Sequence, residues 1–205
     1  MNTRSNEAYG QHRLTFVDRA GVWLSQRAIK RHLPKRSDLE VLELGCGFRA
    51  AQLRALEDRL SHGVGVDFQI APELRALEKF TFYEGTIEET LPKLAAMSFD
   101  AILLISVLEH LSDPFLVIRS AREMLKSSGV LLVNVPTWLG KRFLEFSAFR
   151  LGLSPKVEIE DHKMYYDKRD LWPLLIRAGF TPSQISLCYH KFRLNLFAVA
   201  RREDV

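Results

Sequence analysis

The sequence predicts an α/β fold, a largely parallel sheet wound on both faces by helices around a nucleotide pocket. The first observation is Val41-Leu42-Glu43-Leu44-Gly45-Cys46-Gly47, answered by Gly63-Val64-Gly65-Val66-Asp67. One apolar run ends in an acid and a glycine turn, and a second ends in an aspartate 22 positions after the first glycine. That is the layout of a βαβ pocket: glycines let backbone approach a ligand, and the second strand's acid accepts from ribose hydroxyls. The second observation is the alternation of short apolar runs with helical patterns as far as Val135, the rhythm of strands joined by crossover helices. The third is length, since 205 residues give one domain a core that needs neither disulfides nor a structural metal.

The elements follow in order. Leu14, Val17, Val22, Leu24, Ala28, Ile29 and Leu33 form a helical stripe that Pro34 helps to end. Asp38 to Leu44 is the first strand, Ala50 to Leu60 a helix and Gly63 to Asp67 the second strand. Glu73 to Glu78 reads as a short helix, Phe80 to Tyr83 as strand three, and Ile87 to Ala96 as a helix interrupted early by Pro92. Phe99 to Ser106 is a continuous apolar run of the kind a doubly covered strand shows. Asp113-Pro114 starts a helix to Lys126, with Asp as N-cap and Pro at the first position. Gly129 to Val135 is strand five. The rhythm breaks over Thr137 to Asp161, then Asp170 to Ala178 is a helix stopped by Gly179. Ser183 to Tyr189 and Leu194 to Ala200 read as a closing strand pair. The domain therefore divides into an N-terminal helical lid (1–37), a cofactor core (38–137), an aromatic insertion (138–161), and a final helix with the strand pair (162–205).

Composition narrows the class. The two cysteines, Cys46 and Cys188, make neither a disulfide framework nor a CxxC pair, which favours a reducing compartment. No apolar stretch reaches the roughly 18 residues of a membrane span. Met1 to Gln11 lacks the apolar core of a signal peptide, so the chain reads as cytoplasmic. The net charge of +4 is small. The cations at Arg27, Lys30, Arg31, His32, Lys35 and Arg36 suit a helix C-terminus, with a nucleic-acid or anionic-membrane patch as the sharper alternative; no stacking aromatics are interleaved with them, and the charge alone decides nothing.

Gly45-Cys46-Gly47-Phe48-Arg49-Ala50 also satisfies G-x-G-x-x-A, so a dinucleotide has to be weighed. Glu43, two residues before Gly45, would repel a pyrophosphate and suits a cationic ligand instead. Strand four leads into Ser106-Val107-Leu108-Glu109-His110-Leu111-Ser112-Asp113-Pro114, and strand five into Pro136-Thr137. Together VLELGCG, GVDF, FDAILLISVLEHLSDP, GVLLVNVPT and HKMYYDKRDLWPLLIRAGF resemble the class I S-adenosylmethionine-dependent methyltransferases. The likeness runs from about Asp38 to Arg201 and is greatest to the small-molecule branch that includes the ubiquinone-biosynthesis O-methyltransferases. It implies a Rossmann-like, doubly wound, seven-stranded sheet, mostly parallel with an antiparallel last strand, and S-adenosyl-L-methionine as cofactor. It places Glu43, Gly45, Cys46 and Gly47 around the methionine part, Asp67 on the ribose and Phe68 against adenine. Thr86 and Ile87 flank the base, and Ser106 lies beside the sulfonium. Two departures stand out: Arg49 replaces the family's third glycine, and Thr86 its adenine-side acid.

Plainer roles stand beside these. Glu43 can cap a helix, Asp67 can be a strand-end turn residue open to the crevice, and Phe68 can be core. Thr86 has Glu89 at capping-box spacing. For catalysis, His110 is the first base to consider and His162, next to Asp161, the second, against loop-capping and surface roles. Glu109 reads as structural. No Asn/Asp-Pro-Pro-aromatic motif follows strand four, which argues against nucleobase amino groups as acceptors. Trp138, Phe143, Phe146 and Phe149 read as a helix face packed on the sheet, a wall for an apolar or aromatic acceptor, or a peripheral membrane contact. The sequence thus points to a methyltransferase acting on a small molecule, oxygen first among acceptor atoms, with no metal. An RNA or protein methyltransferase, a non-catalytic methyltransferase-like domain and an NAD-binding oxidoreductase are the rivals.

Overall fold

Seven strands form one sheet: β1 (Leu39–Leu44), β2 (Leu60–Asp67), β3 (Phe80–Glu84), β4 (Phe99–Ile105), β5 (Leu125–Pro136), β6 (Ile185–His190) and β7 (Asn195–Arg201). Their order is β3-β2-β1-β4-β5-β7-β6. This computed structural model describes residues 16–143 and 163–203. Strands β1 to β5 pair in parallel, while β7 runs antiparallel to both β5 and β6. The expected seven-stranded sheet with its antiparallel last strand is therefore the observed one.

Side chains alternate between two cores, as strand geometry requires. Leu42, Leu44, Val64, Val66, Ile102 and Leu104 face α3 (Ile87–Leu94), α4 (Pro114–Met124) and α5 (Lys168–Arg177). Leu39, Val41, Ala101 and Leu103 face the other way, with Ile29 and Leu33 from α1 (Phe16–His32) and its end, and Leu53 from α2 (Ala51–Arg54). Because both faces are covered, β4 is apolar almost without break, its sole polar residue being Asp100. Burying one such Leu or Ile contributes about 1.5–3 kcal/mol. Among the described residues, no helix is long and apolar enough to cross a membrane.

Three boundaries differ from the sequence reading. The helix expected over Ala50 to Leu60 is only α2, followed by a 3-10 turn at Glu57–Arg59, and β2 already starts at Leu60. Leu53, Leu56 and Leu60 sit at helix-like spacing, but Leu60 is recruited by pairing with Leu39. Periodicity alone cannot separate these outcomes over so short a run. Likewise α4 stops at Met124 because Leu125 pairs with Phe99, which starts β5 early. The helix Glu73 to Glu78 is a 3-10 turn at Pro72–Ala76. The caps fall as read: Asp113 accepts from Leu116 N at 3.0 Å, and Gly179 takes φ +102° after α5.

At the amino edge of the sheet, Asp100 is 5% exposed and gathers three donors. Glu40 N donates to it at 2.8 Å, Lys126 Nζ at 3.2 Å, and Arg36 Nη2 closes the group. Removing this acceptor strands a buried amide between β1 and β4. Asp100→Ala is expected to lower unfolding stability by about 1–3 kcal/mol, the upper end being limited by the partial exposure of both cations. A urea titration measures this, and cofactor affinity should stay unchanged because Asp100 lies at the edge opposite the carboxyl ends of the strands.

Candidate functional site

The parallel strands β1, β2 and β4 bring their carboxyl ends to one edge, where ligands bind in open α/β sheets. Gly45 and Gly47 take φ +76° and +74° there, a conformation that side chains resist. A Cβ on Gly45 would stand 2.2 Å from Val107 Cγ2, so this glycine is also a matter of space. Gly45 N and Cys46 N both donate to Val66 O, at 2.8 and 3.0 Å, which fastens the turn to β2. The third left-handed residue is Ala50 (φ 45°), not Arg49. Arg49 is exposed and needs no positive φ, so the missing third glycine does not strain the turn at that position.

Asp67 ties the turn down from the other side. Its Oδ2 accepts from Gly47 N at 2.7 Å and its Oδ1 from Phe68 N at 2.8 Å. Only 9% of it is exposed, which corrects the expectation of an acid open to the crevice. The reason is its double use as a loop anchor. Glu43 is 1% exposed, and its Oε2 accepts from Leu53 N at 3.1 Å in the first turn of α2. Burial pushes the Glu43 carboxyl well above the usual carboxylate range, and the nearby Asp67 charge adds to this. Burial also raises Asp67, against its backbone hydrogen bonds, and the Cys46 thiol. Neither acid has a cation acting on it among the described residues.

The rest of the expected set surrounds this turn. Phe68 is 40% exposed at the tip of β2, outside the core. Its loop is closed by Ala71 N donating to Phe48 O at 2.9 Å and Ile70 N to Glu84 Oε1 at 3.0 Å. Thr86 caps α3: its hydroxyl accepts from Glu89 N at 3.2 Å, while Glu89 Oε2 accepts from Thr86 N at 3.3 Å. Ile87 is buried behind it. Ser106 is exposed at the end of β4 with φ +57°, and its N–H donates to Asn134 O at 2.8 Å.

Beyond Ser106 the 3-10 turn Leu108–His110 carries His110, half-buried, with its N–H on Val107 O at 2.9 Å. The turn is held by Tyr166, whose hydroxyl donates to Leu108 O at 3.3 Å, and by Lys163 N on Glu109 O at 2.8 Å. Glu109 is 1% exposed, and burial lifts its carboxyl to about 8. Burial brings Lys191, in the turn between β6 and β7, down to about 8. In the sequence Lys191 marks only the break between the last two strands, and Asn134 is the one polar residue inside GVLLVNV.

His162 lies outside the described residues, as do Phe146 and Phe149. Trp138 and Phe143 are 46% and 47% exposed, so about half of each is open in the described part of the insertion. Trp138, Leu139, Lys141 and Arg142 line a recess of about 410 Å³, and the Trp138 ring leans on Tyr165 at 5.6 Å. No group of three His, Cys, Asp or Glu side chains among the described residues is placed to hold a metal.

Residues 18–185 match the family described as methyltransferase domain. The ubiquinone biosynthesis O-methyltransferase of Marinobacter nauticus is 33% identical over 176 residues, 80% of this chain and 73% of that protein. The protein of that name from Histophilus somni is 33% identical over 108 residues, 48% of this chain and only 45% of its own length. An S-adenosylmethionine-dependent methyltransferase from Archaeoglobus fulgidus shares the fold at TM-score 0.65 and 15% identity, over 88% of this chain and 94% of that one. With its glycine turn, strand-tip acids and seven-stranded sheet, the chain belongs to the class I S-adenosylmethionine-dependent methyltransferases.

Proposed function

We propose that the chain transfers a methyl group from S-adenosylmethionine to an oxygen of a small-molecule acceptor. The observation that carries the cofactor's placement is the pair of buried acids, Glu43 and Asp67, around a glycine turn with no cation beside them among the described residues. A ligand bearing a sulfonium and an ammonium supplies the missing positive charge. Gly45, Cys46 and Gly47 then hold the methionine part, Asp67 the ribose and Phe68 the adenine face, with Thr86 and Ile87 at the base's edge. Asp67 can serve two masters because each carboxylate oxygen accepts more than one hydrogen bond. The acceptor's nature rests on the relatives' names.

The bound cofactor supplies an activated methyl group, and the chain's residues orient, exclude water and handle the proton. Ser106, exposed at the tip of β4, marks the boundary between cofactor and acceptor. His110, four residues on, is the group proposed to take the acceptor's proton; His162 is the second. Of the expected lid (1–37) and aromatic insertion (138–161), residues 1–15 and 144–161 lie outside the described residues.

Asp67→Ala is expected to weaken S-adenosylmethionine binding at least tenfold, since about 1.4 kcal/mol already gives that factor. It should also lower the melting temperature without ligand, because Gly47 N and Phe68 N lose their acceptor. Asp67→Asn should fall between. Calorimetric affinity equal to wild type in Asp67→Ala would place the ribose elsewhere.

The acids also set a pH dependence. Ionised Glu43 and Asp67 favour a cation, so the preference for S-adenosylmethionine over neutral S-adenosylhomocysteine is full at high pH. It falls as pH drops through their raised values, above the range near ~4 of ordinary carboxylates. Parallel titrations of both ligands from neutral to acid pH check this, and a constant ratio would refute it. For His110→Ala, turnover on a hydroxyl acceptor found by screening should drop roughly 10²-fold while S-adenosylhomocysteine affinity holds. Unchanged turnover would move the role to His162.

A further inference from the structure

The most exposed large apolar side chain among the described residues is Phe192, 91% open at the tip of the β6–β7 hairpin. Left-handed backbone is a genuine outlier for so bulky a residue, yet Phe192 stands at φ 57°, between Lys191 at 48° and Arg193 at 68°. Its neighbour Lys191 passes beneath α1, with Nζ 3.7 Å from where a Cβ on Gly21 would stand. The phenyl ring has no such destination. Neither its strain nor its exposure stabilises the folded chain.

Phe192 has apolar company at this edge. Pro136, the last residue of β5, pairs with Asn195, so the chain leaving β5 emerges beside the hairpin turn. It goes on as helical residues 138–143, where Trp138, Leu139 and Phe143 are 46%, 51% and 47% exposed. The two pieces are fastened together. Thr137 Oγ1 donates to Arg193 O at 2.7 Å, and Gly140 lies so close to Leu194 O that a Cβ on it would stand 2.2 Å away. Scattered apolar side chains on a surface need no explanation, but four on one ledge mark a place of contact.

The charges there share one sign. The segments WLGKRF and KFR hold Lys141, Arg142, Lys191 and Arg193 and no acid. Lys141 Nζ lies 5.6 Å over the Trp138 ring, and the Arg193 guanidinium 4.9 Å over Tyr189.

We propose that this ledge docks on an anionic lipid bilayer, with Phe192 as the inserted tip and Trp138, Leu139 and Phe143 among the headgroups. The inference is independent of which acceptor the chain methylates. Aromatic and aliphatic tips beside lysine and arginine are the makeup of segments that lie in a membrane interface. The cations complement anionic headgroups, while their stems run along the apolar surface. A nucleic acid would stack its bases on open ring faces, whereas cations already lie over Trp138 and Tyr189. A folded protein partner would need a pocket shaped to the tip; a bilayer admits a convex tip without one. The contact is peripheral, since no described helix is long and apolar enough to cross.

Flotation with lipid vesicles tests this, using phosphatidylcholine alone and an equimolar mixture of phosphatidylcholine with phosphatidylglycerol. The chain should bind the mixed vesicles about tenfold more tightly or better, because each cation near an anionic surface adds to the attraction. Added salt should weaken that binding. Phe192→Asn removes the ring and suits the left-handed backbone, so it should weaken binding to mixed vesicles at least about fivefold without lowering the melting temperature. Leu139→Ser should weaken it in the same direction. No binding to mixed vesicles, equal binding to both kinds, or Phe192→Asn binding like wild type overturns the proposal. Should Phe192→Asn fail to fold, Leu139→Ser decides in its place. Single-stranded RNA that displaces the chain from mixed vesicles, with Phe192→Asn unimpaired, would assign the ledge to nucleic acid instead.

Discussion

The hydrogen bond from Gly47 N to Asp67 Oδ2, at 2.7 Å, is the contact on which the rest of the site depends. It joins the turn after β1 to the tip of β2, two strands already paired along Glu43↔Gly65 and Leu44↔Val66. With Val66 O accepting from Gly45 N and Cys46 N, the turn is fastened at three donors to its neighbouring strand. Such a turn cannot drift, and ligands bound by backbone need that rigidity. The cost is conformational: Gly45 must be glycine both for its φ of +76° and for the 2.2 Å approach of Val107 to any Cβ there.

Anchoring this turn with buried acids creates an electrostatic problem as well as a scaffold. Glu43 and Asp67 are both raised by burial, and each carries hydrogen bonds that oppose the rise. A buried charge without a counter-ion is tolerated when its hydrogen bonds are good or when a ligand completes it. Here the backbone donors hold both acids in place, and on the placement proposed above a cationic cofactor completes them. The anchoring role accounts for Asp67 being only 9% exposed at the tip of a strand.

The cofactor half of the molecule was legible because it is local. VLELGCG and GVGVD encode strand, turn and strand-tip acid in consecutive residues, and the β4 run FDAILLI announces burial on both faces. The Asp113-Pro114 start and the Thr86/Glu89 box were equally readable, being made within four residues. What failed was decided at longer range. The helix after the glycine turn shrank to Ala51–Arg54 because Leu60 pairs with Leu39, 21 positions away. The neighbourhood of Glu109 was hidden for the same reason: Lys191 lies 82 positions further along the chain, in a hairpin whose turn has no glycine to mark it.

That turn shows how the antiparallel end of the sheet serves the parallel one. Lys191, Phe192 and Arg193 all take positive φ, at 48°, 57° and 68°, an arrangement that L-residues avoid unless their surroundings impose it. The surroundings are visible. Thr137 Oγ1 donates to Arg193 O at 2.7 Å, and Thr137 N donates to Leu194 O at 2.9 Å. Gly140 comes so close to Leu194 O that a Cβ on it would stand 2.2 Å away. The hairpin is thus sewn to the chain leaving β5, at the same edge as Ser106. Three strained residues set Lys191 under α1 rather than in solvent, where a lysine ordinarily lies. Strain of this kind persists only where the surroundings over-determine it, and here it falls at the antiparallel end of the sheet, away from the glycine turn after β1.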